Sequence, residues 1–67
     1  MGLGMDTQTR KFVKNEVYVR GYVYSRSNGD HHIFINESTG RHITVPCRLN
    51  KMIGKRLVKE MTRAEML

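Results

Sequence analysis

A chain of 67 residues makes one small domain with a thin two-layer core and has no room for a deep, enclosed active-site cavity. Its single cysteine, Cys47, excludes an internal disulfide and a multi-cysteine zinc site; its apolar runs fall far short of the roughly 20 residues that cross a bilayer, and no signal-peptide core is visible, so a cytoplasmic location is expected. Twelve Lys and Arg against six Asp and Glu give a net charge of +6 and a pI near 10, which favours a polyanionic partner. Residues 41–67 hold seven of the basic side chains and two of the acidic ones, so the C-terminal third is the basic surface.

In chain order, residues 1–5 hold two glycines and no periodicity and read as a flexible leader, with 6–67 as the folded domain. Asp6 or Thr7 is suited to cap a helix, and from Gln8 the polar and basic residues interleaved with Phe12, Val13, Glu16 and Val17 predict an amphipathic helix that stops before Gly21. Val17-Tyr18-Val19 is a β-favouring run, so propensity alone also allows a strand to start there with Gly21 as a bulge. Tyr22-Val23-Tyr24-Ser25-Arg26 alternates as a strand, and Ser27-Asn28-Gly29-Asp30 is a turn. His31 to Asn36 is a second strand, Glu37-Ser38-Thr39-Gly40 a second turn, and Arg41 to Val45 a third strand that Pro46 ends because it lacks a backbone donor. Asn50 caps a final helix in which Ile53, Leu57 and Met61 recur at four-residue spacing, flanked by Val58 and Ala64. Gly54 inside it costs about 1 kcal/mol relative to Ala and is expected to loosen the first turn. Helix, three-stranded antiparallel sheet, helix is an α+β fold of α-β-β-β-α order.

Four-residue loops at 27–30 and 37–40 would set Arg26 opposite His31 and Asn36 opposite Arg41. On that register Val23, Phe34 and Ile43, with Ser25, His32 and Val45, form the face that both helices cover. The other face carries Tyr22, Tyr24, Arg26, His31, Ile33, Ile35, His42 and Thr44, and its patch of Tyr22, Tyr24, Ile33 and Ile35 is too apolar to be ordinary surface. A partner protein covering this patch is expected; the alternative is an inverted core in which the helices take this face. His31 and His32 point to opposite faces, so they do not share a role.

Gly21-Tyr22, the nine-residue spacing from Tyr22 to His31, the segment Gly29-Asp30-His31-His32-Ile33-Phe34 and then Ile43-Thr44-Val45-Pro46 resemble the pattern of the HicA toxin family, over roughly residues 8–62. Asp30 stands where that family usually has Ser, and Lys55-Arg56-Leu57 replaces its usual Gly-Thr-Leu. The resemblance implies an mRNA interferase with a fold similar to double-stranded RNA-binding domains, working without a cofactor and held inactive by a HicB-type antitoxin. It also implies that His31 is the catalytic histidine, with Gly29 in the turn that precedes it.

The residues themselves suit that chemistry. Cleaving RNA without a metal needs a base for the 2′-OH proton, a cation for the pentavalent phosphate and a proton for the leaving oxygen. A histidine exchanges protons near neutral pH, Arg26 is expected across from it to steady the phosphate, and Asp30 is adjacent to orient its ring. Lys51, Lys55, Lys59 and Arg63 form a stripe at four-residue spacing, with Arg48 and Arg56 nearby; like charges so placed repel, and RNA phosphates would relieve them. The three histidines are not expected to converge on a metal, and Cys47 reads as a small incidental residue in preference to the nucleophile of a thiol–imidazole pair with His31. Two other functions fit the same chain: a non-catalytic RNA- or DNA-binding module that uses the basic helix alone, and a protein-interaction module that uses the apolar face.

Overall fold

The first helix begins where Asp6 caps it. Asp6 is extended, with φ −77° and ψ 177°, and its carboxylate accepts the Thr9 N–H at 2.8 Å, so that α1 runs from Thr7 to Phe12. The computed structural model describes residues 5–66; of the leader expected over residues 1–5, the first four lie outside the described residues, and Met5 packs half-buried against the core. Beyond Phe12 the helix widens through a π-type turn over Val13–Val17 and tightens over Tyr18–Arg20, ending at Gly21 with φ +92°. Thr9, Val13 and Val17 lie four apart and are all buried. At 3.6 residues per turn that row would drift off the buried face, and the wider turn restores it. The strand that Val17-Tyr18-Val19 would allow does not form: burying a valine contributes about 1.5–3 kcal/mol, more than the ~0.7 kcal/mol that a β-branched residue costs in a helix.

Strands β1 (Tyr22–Asn28), β2 (His31–Asn36) and β3 (Arg41–Pro46) form one antiparallel sheet in that order. Asn36 opposes Arg41 across residues 37–40, as expected. The first hairpin differs. Asn28 pairs with His31, the loop is Gly29-Asp30 alone, and Arg26 stands opposite Ile33 instead of His31. A two-residue loop with glycine at its first position, here at φ +64°, follows the twist of the flanking strands and adds rungs to the ladder that a four-residue loop would forgo.

A bulge between Tyr24 and Arg26 then changes the phase of β1. Tyr22, 4% exposed, and the half-buried Tyr24 face the helices, whereas Val23, 45% exposed, and Ser25 face outward. The expected faces of these four residues are therefore exchanged. β2 and β3 carry no bulge and keep theirs, with His32, Phe34, Ile43 and Val45 buried. Phe34 sits at the centre of the core, met edge-on by the rings of Tyr18 at 5.9 Å and Tyr24 at 5.6 Å.

The C-terminal helix α2 spans Lys51–Met66, with the Asn50 Oδ1 accepting the Ile53 N–H at 2.8 Å, and it buries Leu57 and Met61. Its first turn is not loosened at Gly54, whose N–H donates to the Asn50 carbonyl at 2.9 Å. A Cβ there would meet Leu49 and Phe12 at 3.6 Å, so the α2 backbone passes directly against Phe12.

The fully buried Thr9 joins α1 to the segment between β3 and α2. Its hydroxyl donates to the Cys47 carbonyl at 3.0 Å and accepts the Leu49 N–H at 2.9 Å. Thr9→Val keeps the shape and leaves the Leu49 donor unpaired, and is expected to lower stability by about 1–3 kcal/mol in urea titration; a change within the noise of the titration would show that this hydroxyl holds nothing. Asp6 adds a pH dependence, because the bonds from Thr9 hold its carboxyl below the ordinary value of 3.8. A depressed folded-state pKa contributes stability above the unfolded pKa and loses it as pH falls through the folded one. Asp6→Asn should therefore show a flatter acid limb than the parent below about pH 4.

Candidate active site

His31 opens β2 immediately after the two-residue turn, paired with Asn28 on one side and Pro46 on the other, and its side chain is exposed. Pro46 ends β3, so the chain turns away at Cys47-Arg48 and leaves a cleft beside His31 that Ser27, Gly29, Asp30, Pro46, Cys47 and Arg48 also line. The cleft wall is held by backbone bonds. The Cys47 N–H donates to the Asp30 carbonyl at 2.8 Å, and the Cys47 carbonyl accepts the Asp6 N–H at 3.2 Å.

The expected site residues separate in space. Gly29, Asp30 and His31 stand together at the cleft, and Asp30 has no ion-pair partner among the described residues. Arg26 shares the open face with His31 but sits on the rung of Ile33, diagonal to His31, and does not line the cleft; the cation that does is Arg48. His32 points inward, 2% exposed, with its Nε2 3.2 Å from the Cys47 Sγ and its ring 6.1 Å from that of Tyr24. A thiol–imidazole contact therefore exists, but with His32 and not with His31. His42 lies towards the opposite end of the sheet, opposite Ile35, and among the described residues no three His, Cys, Asp or Glu gather into a metal site.

The basic surface read as one stripe is divided by the packing of α2 into three. Arg48 belongs to the His31 cleft. Lys51, Lys55 and Lys59 border an apolar groove floored by Phe12, Leu49, Gly54 and Val58. Arg56, Lys59 and Arg63 border another groove, against β3, where they meet Arg41 and His42. The sequence reading missed Arg41 and Ser27; the pairing of Pro46 with His31 was the signal that chain beyond β3 would reach the histidine.

The patch expected for a partner protein is also redrawn. Tyr22 is in the core and Tyr24 faces it, so the open face offers Val23, Ile33 and Ile35, the last two half-buried, beside His42 and Thr44.

A family model described as the HicA toxin of bacterial toxin-antitoxin systems matches residues 17–65. The chain belongs to the HicA toxin family. The match takes in the end of the first helix, the whole sheet and nearly all of α2, and therefore every residue of the His31 cleft. The α+β order of elements agrees with what the resemblance implies. No curated protein and no solved structure matches the chain at a significant level. Among the described residues no helix of this toxin is long and apolar enough to cross a membrane.

The phase change in β1 can be tested on the protein itself. Tyr22→Ala empties a core position and is expected to cost about 3 kcal/mol or more, whereas Val23→Ala on the open face should cost less than about 1 kcal/mol. Chemical denaturation of the two variants side by side reads the difference, and the reverse order would place the bulge elsewhere.

Proposed function

We propose that this HicA-family toxin is an endoribonuclease that cleaves mRNA with His31 as its acid–base group and is neutralised by a HicB-type antitoxin. The observation that carries the proposal is the exposed imidazole of His31 beside Arg48 in a cleft open to solvent. The buried His32, in contact with Cys47, has no comparable access to a substrate.

In this scheme neutral His31 takes the proton from a ribose 2′-OH, and the 2′-oxygen attacks the adjacent phosphorus. The new O2′–P bond forms as the P–O5′ bond breaks, and the proton returns from the imidazolium to the departing 5′-oxygen. The guanidinium of Arg48 steadies the charge that builds on the non-bridging oxygens, a role that sequence alone gave to Arg26. Arg26, diagonal on the same face, is within reach of a neighbouring phosphate. Asp30 lines the same cleft, where its carboxylate repels a phosphate that comes too near. The lysines and arginines of α2, with Arg48, supply affinity through phosphates and little sequence preference. The antitoxin is proposed to cover the open face at Ile33 and Ile35, next to His31 on β2, and so to block the approach of RNA. No metal or cofactor is needed for any of these steps.

Expression of the parent and of His31→Ala in a bacterium, with transcripts analysed for cleavage, tests the proposal. The parent should arrest growth and fragment RNA; His31→Ala should do neither while folding normally, a loss of at least about a hundredfold in rate. Equal toxicity of the two proteins would refute the role of His31. RNA binding without cleavage at any pH would reduce the protein to a non-catalytic RNA-binding module.

A further inference from the structure

The His31 cleft holds Arg48, while the densest group of positive charges gathers elsewhere. At the other end of β3, between that strand and the C-terminal half of α2, runs the groove lined by Arg41, His42, Arg56, Lys59 and Arg63, with Glu60 the sole carboxylate among its lining residues. None of these four Arg and Lys side chains has an ion-pair partner among the described residues. Cations gathered in this way repel one another unless an anion lies between them. β3 pairs with β2 alone, so its other edge presents backbone N–H and C=O groups that no strand satisfies.

The same strand leads from the groove to the cleft. Arg41 to Thr44 line the groove and Pro46 lines the cleft, while across the ladder Asn36 faces Arg41 and His31 faces Pro46. Five residue steps of strand separate the two ends, about 17 Å, and no acidic residue interrupts them. A polyanion lying along β3 would meet positive charge at both ends and neutral side chains between.

We infer that the groove is a second subsite for the RNA strand, holding phosphates several nucleotides away from the bond broken at His31. The inference rests on the ribonuclease reading and extends it to the substrate class: an RNA long enough to run the length of β3, in preference to a short oligonucleotide. Arg41, Arg56 and Arg63 contact phosphates, so the groove adds affinity and salt dependence without reading bases. An acidic protein segment would also find these cations. The continuity of groove and cleft along one strand favours a continuous phosphate backbone.

Binding is measured in the His31→Ala background, where nothing is cut, by fluorescence anisotropy with a labelled unstructured long RNA and with a labelled trinucleotide. The His31→Ala protein should bind the long RNA far more tightly than the trinucleotide. Adding Arg41→Glu and Arg63→Glu should weaken long-RNA binding by about tenfold or more and lower its salt slope by about 2, narrowing the gap between the two RNAs. Arg41→Lys with Arg63→Lys should keep the gap, which separates loss of charge from loss of fold. A gap unchanged by charge reversal, or absent from the start, overturns the subsite. If the gap behaves as expected while the protein with His31 intact cuts no RNA, the ribonuclease reading fails and the groove stands as an RNA-binding site.

Discussion

The chain leaving β3 is held at Cys47 from three directions. Its N–H reaches the turn at Asp30, its carbonyl takes bonds from Asp6 and Thr9 at the start of α1, and its Sγ touches the buried His32. Helix, hairpin turn and linker thus meet at one residue, and the cleft beside His31 exists because of that meeting. Without it nothing would oblige Arg48 to stand near the histidine, since residues 31 and 48 belong to different ends of the sequence pattern. The arrangement also explains why Thr9 is buried as a polar residue. Its hydroxyl is satisfied in both directions, as donor to Cys47 and acceptor from Leu49, so the cost of burying it is offset.

The second organising feature is the bulge in β1. A strand with strict alternation would offer the same face along its whole length, and the choice would lie between burying Tyr22 with Tyr24 and burying Val23 with Ser25. The bulge lets the strand change its mind halfway: aromatic rings enter the core near the helices, and Arg26 remains on the open side further along. Two large rings bury more apolar surface than a valine and a serine, which decides the phase of that half of the strand. The open face that remains is smaller and less aromatic than the alternating pattern suggests.

Charge is distributed by packing in the same way. Lys51, Lys55, Lys59 and Arg63 are one row on a helical wheel, but α1 lies against one side of α2 and β3 against the other, so the row is shared between two grooves. Arg41, distant in sequence, joins it. Packing thus sets Arg48, at the His31 cleft, apart from Arg41, Arg56 and Arg63 in the groove against β3.

The sequence by itself determined the α+β order, the Asn50 cap and the first cap to within one residue, the three strands, the second hairpin register, the inward His32 and the outward His31. Each rests on local chemistry: Asp6 and Asn50 accept backbone donors three residues on, Pro46 lacks a donor, and residues 31 and 32 of one strand must point apart. The family was legible for a related reason, because Gly29 to Phe34 and Ile43 to Pro46 are short local runs. What the sequence left open or misplaced depends on contacts between distant segments. The length of the first hairpin loop, the bulge at Ser25, the partner of Cys47 and the cation beside His31 were all settled by which surfaces become buried and which donors find acceptors across the fold. Ser27-Asn28-Gly29-Asp30 reads locally as a four-residue loop; only the ladder it closes, with Asn28 paired to His31, reduces it to Gly29-Asp30.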